Sequence, residues 1–498
     1  MKHFLKKAGA IVLTAAMLLG SSLLTACGDR SVGALDNDLS KVEKVTLEHA
    51  YQTKYLNTSL DNAMYIDNLK ACGDKVYMSI SYSEDSTSDP ESNVYSSRYG
   101  TIINLVDIES GTLTELFRLV NENTSSSNGY DGTSYNAITP AADGTFWCTY
   151  SKSHEWYAEN GDDYVYENSF VLQHLNNDGS VIAEIPTDFL TQEYDYINGI
   201  IPDMNDGQVL IRASSGYYLI TPEGELVKQV VLEDDTGYFG NAIVLSDGTM
   251  ICIFEQYNEM DYTSTRTFKR IDFNSGKLED LGEIPERYLY EIYPGEGHSI
   301  CYSMNGSVWS YDIDTKTKTE LLNWMNSDVN PNRVNNILPI SGNRFLITEY
   351  SYNYDSMKVA VMSPVSAENA VEKYVVKLAC NYLDEAITNA IIDFNKQNAE
   401  YRIQVVDYSQ YNTDEDYTAG VTKLNNDIIT GKSFDLILMN QLSYESFASK
   451  GLLADIGAMM ESDETFQRDK YLTNILDAAS YGGKIYSVIP LFDISTVI

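Results

Sequence analysis

The sequence predicts a multidomain protein, in which an all-β propeller of six or seven blades is followed by a partial α/β lobe. Two observations favour this fold class. A strand–glycine–strand unit recurs through the middle of the chain, which is typical of propeller blades. After Pro364 the hydrophobic pattern changes to strands that alternate with helices, which is typical of a parallel sheet. The 498 residues are enough for both parts.

The first 27 residues have the layout of a secretory signal. Three lysines precede an apolar run over residues 8–24, which is short for a membrane span. The Leu-Thr-Ala-Cys tetrapeptide ending at Cys27 resembles the lipobox of bacterial lipoproteins. That resemblance implies that Cys27 carries a diacylglycerol and becomes the first residue of the mature chain. The alternative is an ordinary cleaved signal with a chance cysteine. Residues 28–42 are polar, and we interpret them as a tether.

Residues 43–364 are assigned to the propeller. Each unit has a short apolar strand, a turn at a glycine and a second strand, and six turn glycines can be counted: Gly73, Gly144, Gly207, Gly248, Gly297 and Gly342. The last three intervals of 41, 49 and 45 residues match the roughly 40–50 residues of a four-stranded blade. Polar insertions at residues 83–98 and 151–168 explain the longer early intervals. A seventh, degenerate unit stays open.

A second hairpin follows each of the first five units. Its turn is rich in Asp, Asn and Gly, which supply the positive φ that tight hairpins require. The sixth unit has strands at residues 344–350 and 357–362, but it lacks a fourth strand. We expect residues 44–50 to provide that strand and close the ring, because closure protects the sheet edges.

The propeller shows no catalytic or metal-binding pattern. Cys148, Cys252 and Cys301 each lie four residues after their turn glycine, so we interpret them as core residues. With Cys27 lipidated, the five remaining cysteines are an odd number at wide spacing, which argues against a disulfide framework. The histidines are scattered without a recognisable partner. We therefore expect no enzyme activity, no metal and no cofactor.

Residues 371–498 form the predicted α/β part. Strands are predicted at residues 374–380, 401–408, 434–439 and 484–490, and helices at 384–397, 419–430 and 444–450. This alternation predicts a largely parallel, doubly wound sheet.

Four phrases in this part resemble the first lobe of the extracellular solute-binding proteins of ABC importers, of the type that takes sugars and oligosaccharides. They are FNKQN at 394–398, GKSFDLI at 431–437 with Phe434 in place of the usual proline, GLLADI at 451–456 and GKIYSVIP at 483–490. The resemblance implies a periplasmic-binding-protein-like lobe, one of two that surround a hinge and trap ligand. It covers about a quarter of the chain. Because the sequence ends at Ile498, we expect the second lobe to be missing from it, as in a truncated gene.

In open α/β sheets, ligands bind beyond the carboxyl ends of the strands. The loops that follow the four predicted strands contain aromatic faces and planar polar groups, which sugar binding requires. The candidate ligand-binding residues are Asn381, Tyr382, Tyr408, Tyr411, Asn440, Gln441, Phe492 and Asp493. The alternative is that each only caps a strand or helix. Asp435 and Asp455 match the family phrases, and we interpret both as structural.

The net charge of −38 disfavours nucleic acid and a bare anionic membrane surface as partners. The chain also has 38 tyrosines, a residue that offers polar ligands such as sugars an apolar face and a hydroxyl. Most of these tyrosines are explained more simply as strand formers.

These patterns indicate a lipid-anchored solute-binding component of an ABC importer, on the extracellular face of a bacterial membrane. Its partners would be a carbohydrate solute and the permease subunits, with the propeller as an accessory binding module. Two alternatives stay open. A glycan-cleaving propeller enzyme would need paired carboxylates converging at one face of the ring. A surface adhesion or scaffold protein would have an α/β part that has lost solute binding.

Overall fold

The computed structural model describes residues 44–56, 65–84, 86–89, 93–157, 164–190, 195–204, 207–231, 237–258, 263–284, 289, 291–353, 356–366, 370–413 and 416–489. The chain divides into two compact units. The larger one, a ring of β-sheets, takes residues 51–323 and 333–364. The smaller one, an α/β unit, includes residues 44–50 and 324–332 together with the chain after residue 364.

Every blade of the ring contains four antiparallel strands, and blade 1 has one additional short edge strand. Strand β1 (Lys44–Val45) belongs to the α/β unit and β2 (Tyr51–Tyr55) to the ring. Blades 1 to 3 then contain β3 (Tyr65–Cys72), β4 (Lys75–Ser83), the short edge strand β5 (Thr87–Asp89), β6 (Val94–Val106), β7 (Leu113–Ser126), β8 (Gly129–Pro140), β9 (Phe146–Tyr157), β10 (Tyr164–Leu175), β11 (Val181–Pro186), β12 (Ile197–Ile201), β13 (Val209–Ala213), β14 (Gly216–Ile220) and β15 (Leu226–Val231).

Blades 4 to 6 repeat the arrangement of four antiparallel strands. They contain β16 (Gly237–Val244), β17 (Met250–Asn258), β18 (Thr263–Asp272), β19 (Lys277–Glu283), β20 (Tyr293–Pro294), β21 (Ser299–Met304), β22 (Ser307–Asp312), β23 (Thr317–Asn323), β24 (Val334–Ile340), β25 (Arg344–Tyr350) and β26 (Met357–Pro364).

The blades follow one another in a closed circle, because each apolar core is shared by two neighbours. Phe117 and Phe146 pack edge to face between blades 1 and 2, with ring centroids 4.9 Å apart. Tyr217 and Phe239 do the same between blades 3 and 4. A further cluster joins blade 1 to blade 6, which completes the circle. The described residues therefore form a six-bladed propeller, as the six turn glycines predict.

The ring is closed by a different segment from the one expected. Strand β2 pairs antiparallel with β26 and is the fourth strand of blade 6, while residues 44–50 lie outside the ring. Tyr51 is 7% exposed, and its ring centroid lies 5.6 Å from that of Phe345. The prediction that residues 44–50 close the ring is therefore wrong by one segment, because β1 pairs instead with a strand of the α/β unit.

The described residues of the two predicted polar insertions, 83–98 and 151–168, lengthen strands of blades 1 and 2. Strands β6 to β10 have 12 to 14 residues each. Strand β7 also pairs with β8, so blades 1 and 2 share one continuous nine-stranded sheet. Their Thr and Tyr residues favour strands, so a polar composition is compatible with this pairing.

The cysteines behave as core residues. Cys148 and Cys252 are fully buried, and Cys301 is nearly so. Burial raises the pKa of all three thiols to about 12. The five cysteines in the described part of the chain are free thiols, which confirms the expectation that they make no disulfide framework.

The α/β unit is built on three parallel strands. They are β27 (Lys373–Cys380) in the centre, with β28 (Tyr401–Asp407) and β29 (Leu436–Ile437) as its parallel partners. The helices are α1 (Glu385–Gln397), α2 (Ala419–Ile429), α3 (Tyr444–Ser449), α4 (Ile456–Ser462) and α5 (Thr473–Ala478). The strand predicted at 484–490 is not part of this sheet: β31 (Lys484–Ile485) forms a small hairpin with β30 (Ser480–Tyr481). None of the helices among the described residues is both long and apolar enough to cross a membrane.

A segment that lies between blades 5 and 6 in the sequence completes the α/β unit, which the sequence did not reveal. The Arg402 guanidinium donates to Asp328 at 2.8 Å and to the Met325 carbonyl at 3.1 Å. The Asn330 amide donates to Asn389 at 3.0 Å. Residues 324–332 are therefore tied to β28 and α1 by buried polar contacts, and the unit is assembled from three separate stretches of chain.

Replacing Tyr51 with alanine should destabilise the ring by about 3 kcal/mol, because it removes a buried aromatic ring from the closing strand. We expect the melting temperature to fall by about 6–12 °C in calorimetry. The control is Gln52→Ala, an exposed position on the same strand. Equal melting temperatures for the two variants would contradict a stabilising role for this strand.

Candidate functional site

The candidate site lies where the parallel strands of the α/β unit end. The strand order β28–β27–β29 places the first strand in the chain between the second and the third. In such a doubly wound sheet, the connections leave to opposite sides, and a crevice opens beyond the carboxyl ends at the point of reversal. Asn381 and Tyr382 follow β27, and Asn440 and Gln441 come shortly after β29, so the order brings these four residues together.

An amide–amide hydrogen bond spans this point. The Asn381 Nδ2 group donates to Gln441 Oε1 at 2.7 Å, and the Asn440 Nδ2 group reaches the Tyr382 carbonyl at 3.4 Å. Beside them the Tyr408 N–H donates to the Cys380 carbonyl at 2.7 Å, which ties the loop after β28 to the end of β27. The loops after all three strands are thus linked directly.

The oxygen of the Asn381 side chain is buried and has no hydrogen-bond partner. It lies against Gly420 in the first turn of α2, where a Cβ atom would be 2.1 Å from this oxygen and 2.3 Å from the Tyr408 carbonyl oxygen. Only glycine fits there. A buried acceptor without a partner costs about 1–3 kcal/mol, and such groups are rare enough in folded proteins to mark a site of interest.

The backbone of Gln441 is held in an unfavourable conformation. Its φ is 139°, a region that favours glycine. Such a conformation costs of order 1–3 kcal/mol and persists where the surroundings enforce it, which happens often at binding sites. Here the Gln441 N–H donates to the Met439 carbonyl, while the side chain accepts from Asn381.

Tyrosines with exposed rings belong to the same loops. Tyr382 is 60% exposed and Tyr411 is 44% exposed, with the Lys423 ammonium 5.2 Å from the Tyr411 ring centroid. Tyr417 is 71% exposed and precedes α2. Neither Tyr417 nor Gly420 was among the site residues predicted from the sequence. A tyrosine just before an amphipathic helix was the available signal for Tyr417, whereas nothing in the sequence signals the close approach at Gly420.

Tyr408 is a structural residue, which corrects its prediction as a ligand contact. Only 1% of it is exposed. Its hydroxyl donates to Asp427 at 2.7 Å and accepts from the Lys432 ammonium at 2.9 Å. Three other predicted residues, the ligand candidates Phe492 and Asp493 and the lipidation site Cys27, lie outside the described residues.

Two carboxylates that match the family phrases are structural, as predicted. Asp435 accepts from the Lys377 N–H at 2.7 Å, which fixes the pairing of β29 with β27. Asp455 caps α4 by accepting from the Ala458 N–H. Ser443 occupies the cap position of α3, but its side chain makes no capping hydrogen bond.

Histidines of the propeller have partners that the sequence did not show. His298 lies between Asp247 and Asp314, at 2.8 Å from each, and the hydrogen bond to Asp314 raises the pKa of the imidazole. His154 contacts Asp131 on the neighbouring strand. These pairs come from residues 16 to 51 positions apart, so spacing in the sequence could not reveal them. Within the described part of the chain, no group of His, Cys, Asp and Glu has the arrangement of a metal site.

The comparisons with known proteins find likeness only among solved structures. No protein-family model and no curated protein matches the chain. The chain is similar to the WD40 domain of Neurospora crassa Pan2, at 8% identity and a TM-score of 0.36 over 65% of this chain and 99% of that one. It is also similar to an α-L-arabinanase of Penicillium chrysogenum, at 10% identity and a TM-score of 0.35 over 64% and 98%. A third is the β-propeller domain of the Trilobed protease from Pyrococcus furiosus, at 8% identity and a TM-score of 0.32 over 61% and 94%.

At these identities and TM-scores the neighbours carry no argument about function. The propeller assignment rests on the six blades and on the apolar cores between them.

Replacing Tyr408 with phenylalanine should lower the melting temperature of the α/β unit by about 2–4 °C at pH 7, since a buried hydroxyl loses two partners. The hydrogen bond from Tyr408 is the main cause of the lowered pKa of Asp427. Because that pKa is depressed in the folded state, the stabilisation is present above the unfolded pKa and is lost as pH falls through the folded one.

The difference between wild type and Tyr408→Phe should therefore shrink toward pH 3. Thermal melts at both pH values measure it, with Tyr411→Phe on the exposed neighbour as the control. A difference that grows on acidification would contradict this account.

Proposed function

We propose that this chain is a lipid-anchored extracellular binding protein whose α/β unit captures a hydroxyl-rich solute, a carbohydrate, for an ABC importer. The observation that carries the proposal is the hydrogen bond between Asn381 and Gln441, at the point of strand-order reversal. Side-chain amides recognise sugar hydroxyls because they donate and accept within one planar group. We assign the protein no catalytic step.

The chemistry of the loops supports an uncharged ligand. The loops that follow the three strands present amides and phenols beside the Asn381–Gln441 pair, among them Asn440, Tyr382 and Tyr411. Two lysines lie nearby, Lys432 and Lys423, and both form ion pairs with Asp427, which compensates their charge within the protein. The exposed tyrosine rings supply the flat apolar faces on which sugar rings stack, and the strained Gln441 backbone fixes the amide in place before ligand arrives.

The proposed anchoring and partners follow from the start of the chain and from the family resemblance. A diacylglycerol on Cys27 would hold the protein at the outer face of the cell membrane, where permease subunits would take the solute. Two acyl chains are sufficient for stable anchoring. The strong negative charge makes nucleic acid an unsuitable partner.

Solute capture predicts saturable, micromolar or tighter binding of one glycan class in calorimetric titration against oligosaccharides, with peptides as the comparison. Gln441→Gly should weaken that binding at least tenfold, because it removes the amide, while its melting temperature stays equal or rises, since glycine tolerates the positive φ. The matched control is Gln467→Gly, an exposed glutamine at a negative φ. Absence of binding to every glycan, or full binding by Gln441→Gly, would sink the proposal.

Lipid anchoring predicts that the protein expressed with its own signal incorporates labelled fatty acid and enters the detergent phase of a Triton X-114 extraction. Cys27→Ser should abolish both, because the acyl acceptor is a thiol. The control is Cys72→Ser, the cysteine that is partly exposed. Equal partitioning of wild type and Cys27→Ser would contradict the assignment.

A further inference from the structure

An exposed face rich in tyrosine runs across strands β6 to β10 of the ring. Their five exposed tyrosines are 38–57% exposed, and the half-buried Tyr130 lies among them. Because alternate residues of a strand point to the same side, and because the strand registers align, all six lie on one face. We call this surface the tyrosine face: Tyr95, Tyr99, Tyr130, Tyr157, Tyr164 and Tyr166.

The tyrosine face is ordered in rows across the strands. One row contains Tyr95, Ser125, Tyr130, Glu155 and Tyr166 in direct register. Its three tyrosines lie on every second strand, so they repeat at about 9.5 Å, twice the spacing of neighbouring strands. This repeat is close to the length of one disaccharide unit in an extended β-linked glycan, in which alternate sugars present the same side.

A polar row runs beside the aromatic one. It contains Ser97, Asn123, Gly132, Ser153 and Asn168, again in register. Two neighbouring tyrosines form hydrogen bonds with the amides of this row. The Asn123 amide donates to the Tyr99 hydroxyl at 3.1 Å, and the Asn168 amide donates to the Tyr166 hydroxyl at 2.7 Å. The result is a line of amides and hydroxyls flanked by aromatic rings.

Gly132 allows the central tyrosine to lie down on the sheet. A Cβ atom at Gly132 would be 2.2 Å from the Tyr130 hydroxyl oxygen and 2.5 Å from its Cζ atom. The Tyr130 side chain therefore extends along its own strand over the glycine, whereas strand side chains ordinarily stand away from the sheet. A ring that lies on the sheet offers its face to a partner, which is the geometry that stacking on a sugar requires.

The charge of the tyrosine face selects the kind of partner. In its aromatic and polar rows, Glu155 is the one side chain that is charged at neutral pH. The charged groups of these strands, including Arg98, Glu122, Lys152 and Asp131, lie at positions of the opposite parity and so on the other side of the sheet. An uncharged polymer fits this face, whereas a polyanion finds no cation on it.

We infer that the tyrosine face binds an uncharged, linear, β-linked polysaccharide lying across strands β6 to β10. Sugar rings stack on Tyr95, Tyr130 and Tyr166, and sugar hydroxyls bond to Asn123 and Asn168. This binding is separate from solute capture by the α/β unit.

The test titrates the purified whole protein with cellohexaose, xylohexaose and chitohexaose, with maltohexaose as the α-linked comparison. We expect at least one β-linked hexaose to bind tenfold more tightly than maltohexaose. Tyr130→Ala/Tyr166→Ala should weaken that binding at least tenfold, and Tyr196→Ala/Tyr257→Ala, which removes two exposed tyrosines elsewhere on the ring, should not. Gln441→Gly should also leave it unchanged, which separates this site from the proposed solute site.

Gly132→Ala is the sharpest variant. Its methyl group displaces only the far end of the Tyr130 side chain and the Asn123 amide oxygen, so the sheet keeps its melting temperature while hexaose binding falls at least fivefold. The inference is overturned if no β-linked hexaose binds at millimolar concentration, or if the double tyrosine variant and its control bind equally. It is also overturned if the loss of affinity follows Gln441→Gly instead.

Discussion

Closure of the ring by Tyr51–Tyr55 is the constraint on which the rest of the structure depends. Blade 6 has three strands of its own, and the fourth comes from the opposite end of the propeller sequence. Without it the edge of β26 would be unpaired, and unpaired edges invite association with other chains. The α/β unit also depends on contacts between segments that are distant in sequence: β1 pairs with β27, and residues 324–332 bind β28. Neither unit can form from one continuous stretch of chain.

The sequence predicted the repeating part of this architecture well. Turn glycines at 73, 144, 248 and 297 all adopt positive φ, and α1 begins one residue after its cap, Asp384, close to the predicted start. It failed where partners are distant. The closing strand was predicted at residues 44–50 instead of Tyr51–Tyr55. Both segments are short and strand-like, and only the pairing with β26 distinguishes them. Residues 324–332 were assigned to the propeller, since no local pattern reveals an ion pair with Arg402.

The candidate site residues remain predictions, and the structure shows only which of them lie together. The rule that ligands bind beyond strand ends selected Asn381, Asn440 and Gln441, which the fold brings together. The same rule selected Tyr408. Its burial depends on packing against α2, which the sequence of the loop does not show. The sequence did not reveal the tyrosine face, because its strands are polar on both sides and were interpreted as polar insertions. The alternation at Tyr164 and Tyr166 was the available signal.

Hydrogen–deuterium exchange of the whole protein, with and without a saturating oligosaccharide mixture, tests the proposed solute site most directly. Backbone amides report local opening, and a bound ligand suppresses that opening. Solute capture by the α/β unit predicts slower exchange in peptides that cover residues 380–382, 408–412 and 439–441, the three loops at the carboxyl ends of β27, β28 and β29. Unchanged exchange in all three loops, with protection confined to the propeller, would contradict solute capture by the α/β unit.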